Sequence, residues 1–177
     1  MRVAVLSDTH LPRRGPGLPA LCIEVMARAD LILHAGDLCD FSTLILLRAF
    51  GPPVAAVHGN VDEPDVRREL PETAVVEAGG LRIGMVHDAG VASGRLERMR
   101  RRFPDANGVV FGHSHIPLFH RAGDGFFILN PGSPTDRRRQ PRHSIVELTI
   151  EEGARPEPAF LAVDYPVGSL PDALVRR

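Results

Sequence analysis

Apolar residues come along this chain in short runs, and the run at residues 2–7 is apolar at successive positions, as expected of a strand covered on both faces. Leu18, Leu21, Cys22, Val25 and Met26 then repeat at helical spacing. A second strand is predicted at 31–34, a short helix capped by Ser42 and running to Phe50, and a third strand at 54–58 after the stop at Gly51-Pro52-Pro53. This is a βαβαβ opening. Beyond Asn60 the runs at 73–78 and 81–86 flank Gly79-Gly80, which reads as a hairpin turn. A helix over about 94–103 carries Leu96, Met99 and Phe103 inward, with Ser93 as its cap. Strands follow at 109–111, 118–121, 126–129 and 143–150, the last three as a successive antiparallel meander, with another at 159–163. Two sheets packed face to face with helices outside would bury all of these runs in one core.

Composition narrows the class. A chain of 177 residues with 44% hydrophobic and 24% charged residues is expected to fold as a single domain over 1–177. Its 21 basic and 22 acidic residues leave a formal charge of −1, so no global electrostatic footprint for nucleic acid or an acidic membrane is present. One Tyr and no Trp leave no aromatic-basic stripe for single strands. Cys22 and Cys39 form neither a CxxC pair nor a staple framework, which fits a reducing cytoplasm. With no signal-like start and no apolar stretch of about 20 residues, a cytoplasmic protein without a membrane anchor is expected, and a homo-oligomer is compatible with the sequence.

The chemistry lies where the strands stop. Asp8 and His10, Gly36-Asp37, Gly59-Asn60, His87 and Gly112-His113-Ser114-His115 each follow a predicted strand. Open α/β sheets deliver ligands at the carboxyl ends of their strands. A lone His or Asp at a strand end is usually a hydrogen-bonded turn residue or a cap; seven such residues in five groups, each group after its own strand, form a pattern that chance seldom supplies. Two carboxylates, an amide and four imidazoles exceed what one tetrahedral zinc uses and suit a pair of divalent ions, with manganese first and iron, nickel or zinc as alternatives. Asp37 is the natural bridge, since a carboxylate can hold two cations roughly 3.5 to 4 Å apart. His113 and His115, like Asp8 and His10, stand two apart, so only an irregular strand end sends them to different metals. A bridging water turned hydroxide could then attack phosphorus in line, and neither a GxSxG elbow nor a GxxxxGK[ST] loop is present.

These motifs resemble those of the calcineurin-like metallophosphoesterases, and Asn130-Pro131-Gly132-Ser133 with the short length is similar to their small bacterial and archaeal phosphodiesterase branch. The resemblance implies a four-layer α/β/β/α sandwich of two mixed sheets and a metal-dependent phosphodiesterase acting on a small diester. By position it implies Asp8, His10, Asp37 and His115 as ligands of one metal and Asp37, Asn60, His87 and His113 as those of the other, with Asp37, Asn60 and His113 also catalytic. A scaffold of the same fold, like the similar subunit of retromer, and a nuclease are the alternatives. The filled ligand positions and the neutral charge disfavour them.

The chain departs from the family pattern in two places. Many relatives carry Gly-Asn-His followed by Glu or Asp, where the His can protonate the leaving oxygen; here the sequence is Gly59-Asn60-Val61-Asp62, which puts phosphomonoester hydrolysis in doubt. Asp88 follows His87 where the branch commonly has Gly, and it reads as a cap of the next turn. His58 reads as a surface histidine with a substrate-facing base as the alternative, and His34 as core or support to the ligands. Cys39 is not needed for the ligand set, Arg137, Arg138, Arg139 and Arg142 read as a solvated loop that would otherwise guide phosphate, and Ser133 lies near the site.

Overall fold

The structure, a computed structural model, describes residues 1–163, and the rest of the expected domain, residues 164–177, lies outside them. Strands β1 (Arg2–Leu6), β2 (Leu31–His34) and β3 (Val54–Ala56) pair in parallel, and β9 (His143–Thr149) and β10 (Glu157–Val163) extend the same sheet antiparallel in the order β10-β9-β1-β2-β3. The second sheet runs β4-β5-β6-β8-β7, built from β4 (Thr73–Ala78), β5 (Leu81–Val86), β6 (Gly108–Val110), β7 (Leu118–Arg121) and β8 (Phe127–Asn130). Helices α1 (Ala20–Ala27), α2 (Phe41–Arg48) and α3 (Pro64–Glu69) carry residues packed on the first sheet, and α4 (Arg95–Arg102) packs on the second.

The alternation along β1 explains the layering. Val3 and Val5 turn toward the second sheet and meet Ile83, Met85, Val110 and Phe127, while Ala4 and Leu6 turn outward to Val25, Met26 and Leu44. All four side chains are fully buried. Burying a Val or Leu side chain contributes roughly 1.5 to 3 kcal/mol, so a strand apolar on both faces is held by both layers. On the far side, Met99 of α4 and Phe103 at its C-terminal end close over Val109 and Ile128. The result is the expected four-layer α/β/β/α sandwich of two mixed sheets.

Several local expectations change. The helix at Phe41–Arg48 is capped by Asp40, whose carboxylate accepts from the Ser42 N–H at 2.7 Å, rather than by Ser42 itself. Gly94, with φ 64, precedes α4 in place of a Ser93 cap, because only a left-handed residue turns the chain into that helix. The meander is also broken: β8 joins β6 in parallel, and β9 crosses to the other sheet beside β1. Helix α3 was not foreseen, since PDVRRE buries only Val66 and offers no apolar stripe. The hairpin forms as read, with Gly79 and Gly80 both at positive φ, as a type I′ turn requires.

Candidate metal centre

Parallel strands β1, β2 and β3 end side by side, and β5 and β6 end facing them across the sandwich, so their following loops share one edge of the molecule. The loops are tightly bent. Asp8, His10, Asp37, His113 and His115 all have positive φ between 46° and 67°. Asp and His tolerate this region better than β-branched residues, yet each such residue costs on the order of 1 to 3 kcal/mol. The bend at His113-Ser114-His115 sends its two histidines to different sides, which a regular strand forbids, while Asp8 and His10 stay together.

Two donor groups result. In the first, His115 Nε2 lies 3.2 Å from Asp8 Oδ1 and 3.2 Å from His10 Nε2. His10 Nε2 is 3.9 Å from Asp8 Oδ1 and 3.8 Å from Asp37 Oδ2. In the second, His87 Nε2 lies 3.2 Å from Asp37 Oδ2 and 3.1 Å from Asn60 Oδ1, which is 3.0 Å from His113 Nδ1. Asp37 Oδ2 therefore faces both groups, while its Oδ1 accepts the Val61 N–H at 3.0 Å. All seven residues singled out from the sequence meet here. Five are buried, whereas Asn60 is exposed and His113 half-buried, so the second group forms the mouth.

The electrostatics suit cations. His87 Nδ1 donates to the Ala35 carbonyl at 2.8 Å and His115 Nδ1 donates to the Asp136 carbonyl, which leaves both Nε2 atoms facing the carboxylates. Burial opposes a charge on His87, but the Asp37 hydrogen bond, the Asp8 and Asp37 charges and the Ala35 carbonyl outweigh it and raise its pKa. Positive charge is thus favoured at that nitrogen. Burial likewise opposes ionisation of Asp37, but the His87 hydrogen bond and charge, the Val61 N–H and His10 hold its carboxyl down to about 2. Asp8 is also held below the usual range: burial works against this, and His115, His87 and the Ser7 hydroxyl overcome it. Burial lowers His10, keeping its ring neutral and able to offer a lone pair. Imidazole nitrogens, ionised carboxylates and an amide oxygen gathered this closely form a donor set that fits divalent metal.

Asp62 organises the loops, and the sequence reading missed it. Its carboxylate is 4% exposed and accepts three backbone N–H groups, from Asp37 at 3.1 Å, Cys39 at 2.6 Å and Gly59 at 2.7 Å, tying the ends of β2 and β3 together. Its only signal is an acid two places after Asn60. Close approach matters here too, since a Cβ on Gly59 would lie 2.1 Å from Asp37 Oδ1. We expect Asp62→Ala, by stranding three donors, to destabilise the protein by about 3 kcal/mol or more. Urea denaturation checks this; a loss below about 1 kcal/mol contradicts the role.

The remaining singled-out residues sort by contact. His34 Nδ1 accepts the Gly36 N–H at 3.2 Å, so its Nε2 donates to Thr9 at 3.2 Å; burial pushes its pKa down to about 4. Ser133 donates to the Asp8 carbonyl at 2.7 Å, and Asn130 donates to Gly112 O at 2.7 Å, which locks the two bends. Asp88 accepts from the Gly90 N–H at 2.7 Å and caps that turn. Cys39 Sγ lies 3.5 Å from His10 Nδ1, and burial pushes its thiol up to about 11. Arg138 donates to the His113 carbonyl at 3.1 Å, while Arg137 bonds Gln140 within its own loop.

Residues 1–153 match the calcineurin-like phosphoesterase superfamily domain. The chain belongs to that superfamily. It is 34% identical over 156 residues to a probable metallophosphoesterase of Methanocaldococcus jannaschii, covering 86% of this chain and 77% of the relative. Among solved structures it is similar to Vps29 of Entamoeba histolytica complexed with zinc, at 26% identity and TM-score 0.72 over 92% of this chain and 99% of that one. An archaeal phosphodiesterase shares the fold at 21% identity and TM-score 0.68, over 91% of this chain and all (100%) of the other. Membership in a calcineurin-like superfamily supports a metal-dependent hydrolase and implies divalent metal, and at the edge described above Asp8, His10 and His115, and Asp8, Asp37 and His87, bring their ligand atoms within 4.8 Å of one another. Among the described residues no helix is long and apolar enough to cross a membrane.

Proposed function

We propose that the chain is a phosphodiesterase with a two-metal centre, acting on small phosphodiesters in the cytoplasm rather than on nucleic acid. The observation that carries this reading is Asp37 Oδ2, placed 3.8 Å from His10 Nε2 and 3.2 Å from His87 Nε2, between two donor groups. Asp8, His10 and His115 would hold one ion, Asn60, His87 and His113 the other, and Asp37 would serve both. Manganese is the first choice for both. When bound, the pair supplies neutralisation of phosphoryl charge and a water acidic enough to attack phosphorus near neutral pH.

The chain's own residues do the positioning. Asp62 holds the Asp37 backbone and the Val61 N–H orients its carboxylate, and the Asp136 and Ala35 carbonyls fix the rings of His115 and His87. Asn60 and His113, at the open mouth, stand where a substrate arrives, and this is the basis for giving them a catalytic role with Asp37. Val61 brings no proton donor to the leaving oxygen, which favours diesters with good leaving groups over alkyl monoesters.

The likeness to Vps29 favours a second reading, a protein-interaction scaffold of the same fold. Steady-state assays on paired chromogenic mono- and diesters, with manganese-loaded protein, separate the two. Diester hydrolysis that is abolished by chelation and restored by manganese is expected. Protein that binds its metal yet cleaves neither ester would support the scaffold.

A further inference from the structure

A cleft of about 360 Å³ opens directly beside Asn60 and His87, and its charged walls are Arg67, Arg102, Glu72 and Asp88. Two of these charges form an ion pair. Glu72 pairs with Arg102 at 2.8 Å, and Asp88 caps the Gly90 turn while its charge acts on Arg95. Arg67 differs: Nε donates to the Asp62 carbonyl at 2.8 Å and Nη2 to the Asn60 carbonyl at 2.5 Å, and among the described residues no carboxylate lies within ion-pair distance. Carbonyls orient the guanidinium without neutralising it. Of its five N–H donors three remain available, including both on Nη1.

A positioned, unneutralised guanidinium is a fork for a carboxylate or a phosphate. Because the cleft is continuous with Asn60 and His87, an anion held there can belong to the same molecule as a phosphoryl group at the metal centre. We propose that this cleft is a subsite for one ester arm of the substrate, and that Arg67 makes it select arms carrying their own anionic group. The inference rests on the phosphodiesterase reading for the identity of the substrate and adds its class, a diester with a second negative charge.

Binding of two non-hydrolysable arms to the manganese-loaded full chain tests the subsite independently of turnover. By calorimetry, wild type is expected to bind 4-carboxyphenylphosphonate about tenfold more tightly than phenylphosphonate, the worth of one charge-assisted contact. Arg67→Gln should abolish that preference and leave phenylphosphonate affinity within about twofold, while Arg67→Lys, which keeps the charge but not the fork, retains part of it. Equal binding of the two by wild type, binding of neither, or equal weakening of both by Arg67→Gln overturns the proposal, the last because it would reduce Arg67 to a brace for the Asn60 loop. Hydrolysis of bis(4-nitrophenyl) phosphate by the same preparation reports separately on the phosphodiesterase reading.

Discussion

Asp37→Ala is expected to lose both metal equivalents and to cut diester hydrolysis by about 10³-fold or more, since several kcal/mol of charge stabilisation disappears with the centre. His115→Ala should keep about one equivalent. The asymmetry follows from position: Asp37 Oδ2 faces both donor groups, whereas among the described residues His115 Nε2 meets Asp8 and His10 of the first group alone. Alanine is also strained at the Asp37 φ of 60°, so Asp37→Asn, which tolerates the left-handed backbone, separates that cost from ligand loss. Folding should survive each change, because these side chains stand at strand ends outside the apolar clusters. Elemental analysis and urea denaturation read the two effects. If Asp37→Ala holds two equivalents at unchanged affinity, Asp37 is not the shared ligand.

The second large effect concerns leaving groups. General-acid help is typically worth 10² to 10⁴-fold, and an activated aryl leaving group needs it least. Val61 supplies none, so the wild type should cleave activated aryl diesters well and alkyl monoesters poorly. Val61 follows Asn60, and its N–H already binds Asp37, which places the residue next to the centre. Val61→His should narrow the aryl-to-alkyl gap by roughly tenfold to a hundredfold, provided the imidazole reaches the leaving oxygen directly or through one water. Steady-state kinetics on matched esters decide the matter. A wild type that hydrolyses alkyl monoesters as fast as aryl diesters would mean that another residue, with His58 at the cleft the first suspect, delivers the proton.

What could be read from the sequence was what strong, local physics writes there. β1, β2 and the hairpin were legible because a strand buried on both faces is apolar throughout and a two-glycine turn has few other uses. The convergence of the seven donor residues followed from strand ends alone, and the division of His113 from His115 needed only that the backbone be irregular there, as their positive φ values confirm. Other features leave little trace. Helix α3 is polar and short, held by Val66 and by contacts made at a distance. The pairing of β9 with β1 rather than β8 depends on which sheet has a free neighbour, which no run of residues encodes. Asp62 and Arg67 were invisible for a related reason: their work is done on backbone groups of other loops, so their own surroundings in the chain look like an ordinary charged surface.

Two metal ions held as one centre should hydrolyse a phosphodiester. Titrating manganese into chelator-treated protein while following bis(4-nitrophenyl) phosphate hydrolysis tests it in a single curve. Activity should be absent without metal, rise to its plateau as the second equivalent per chain binds, and vanish again with chelator. A plateau reached at one equivalent, or turnover that persists in the chelated protein, would contradict it.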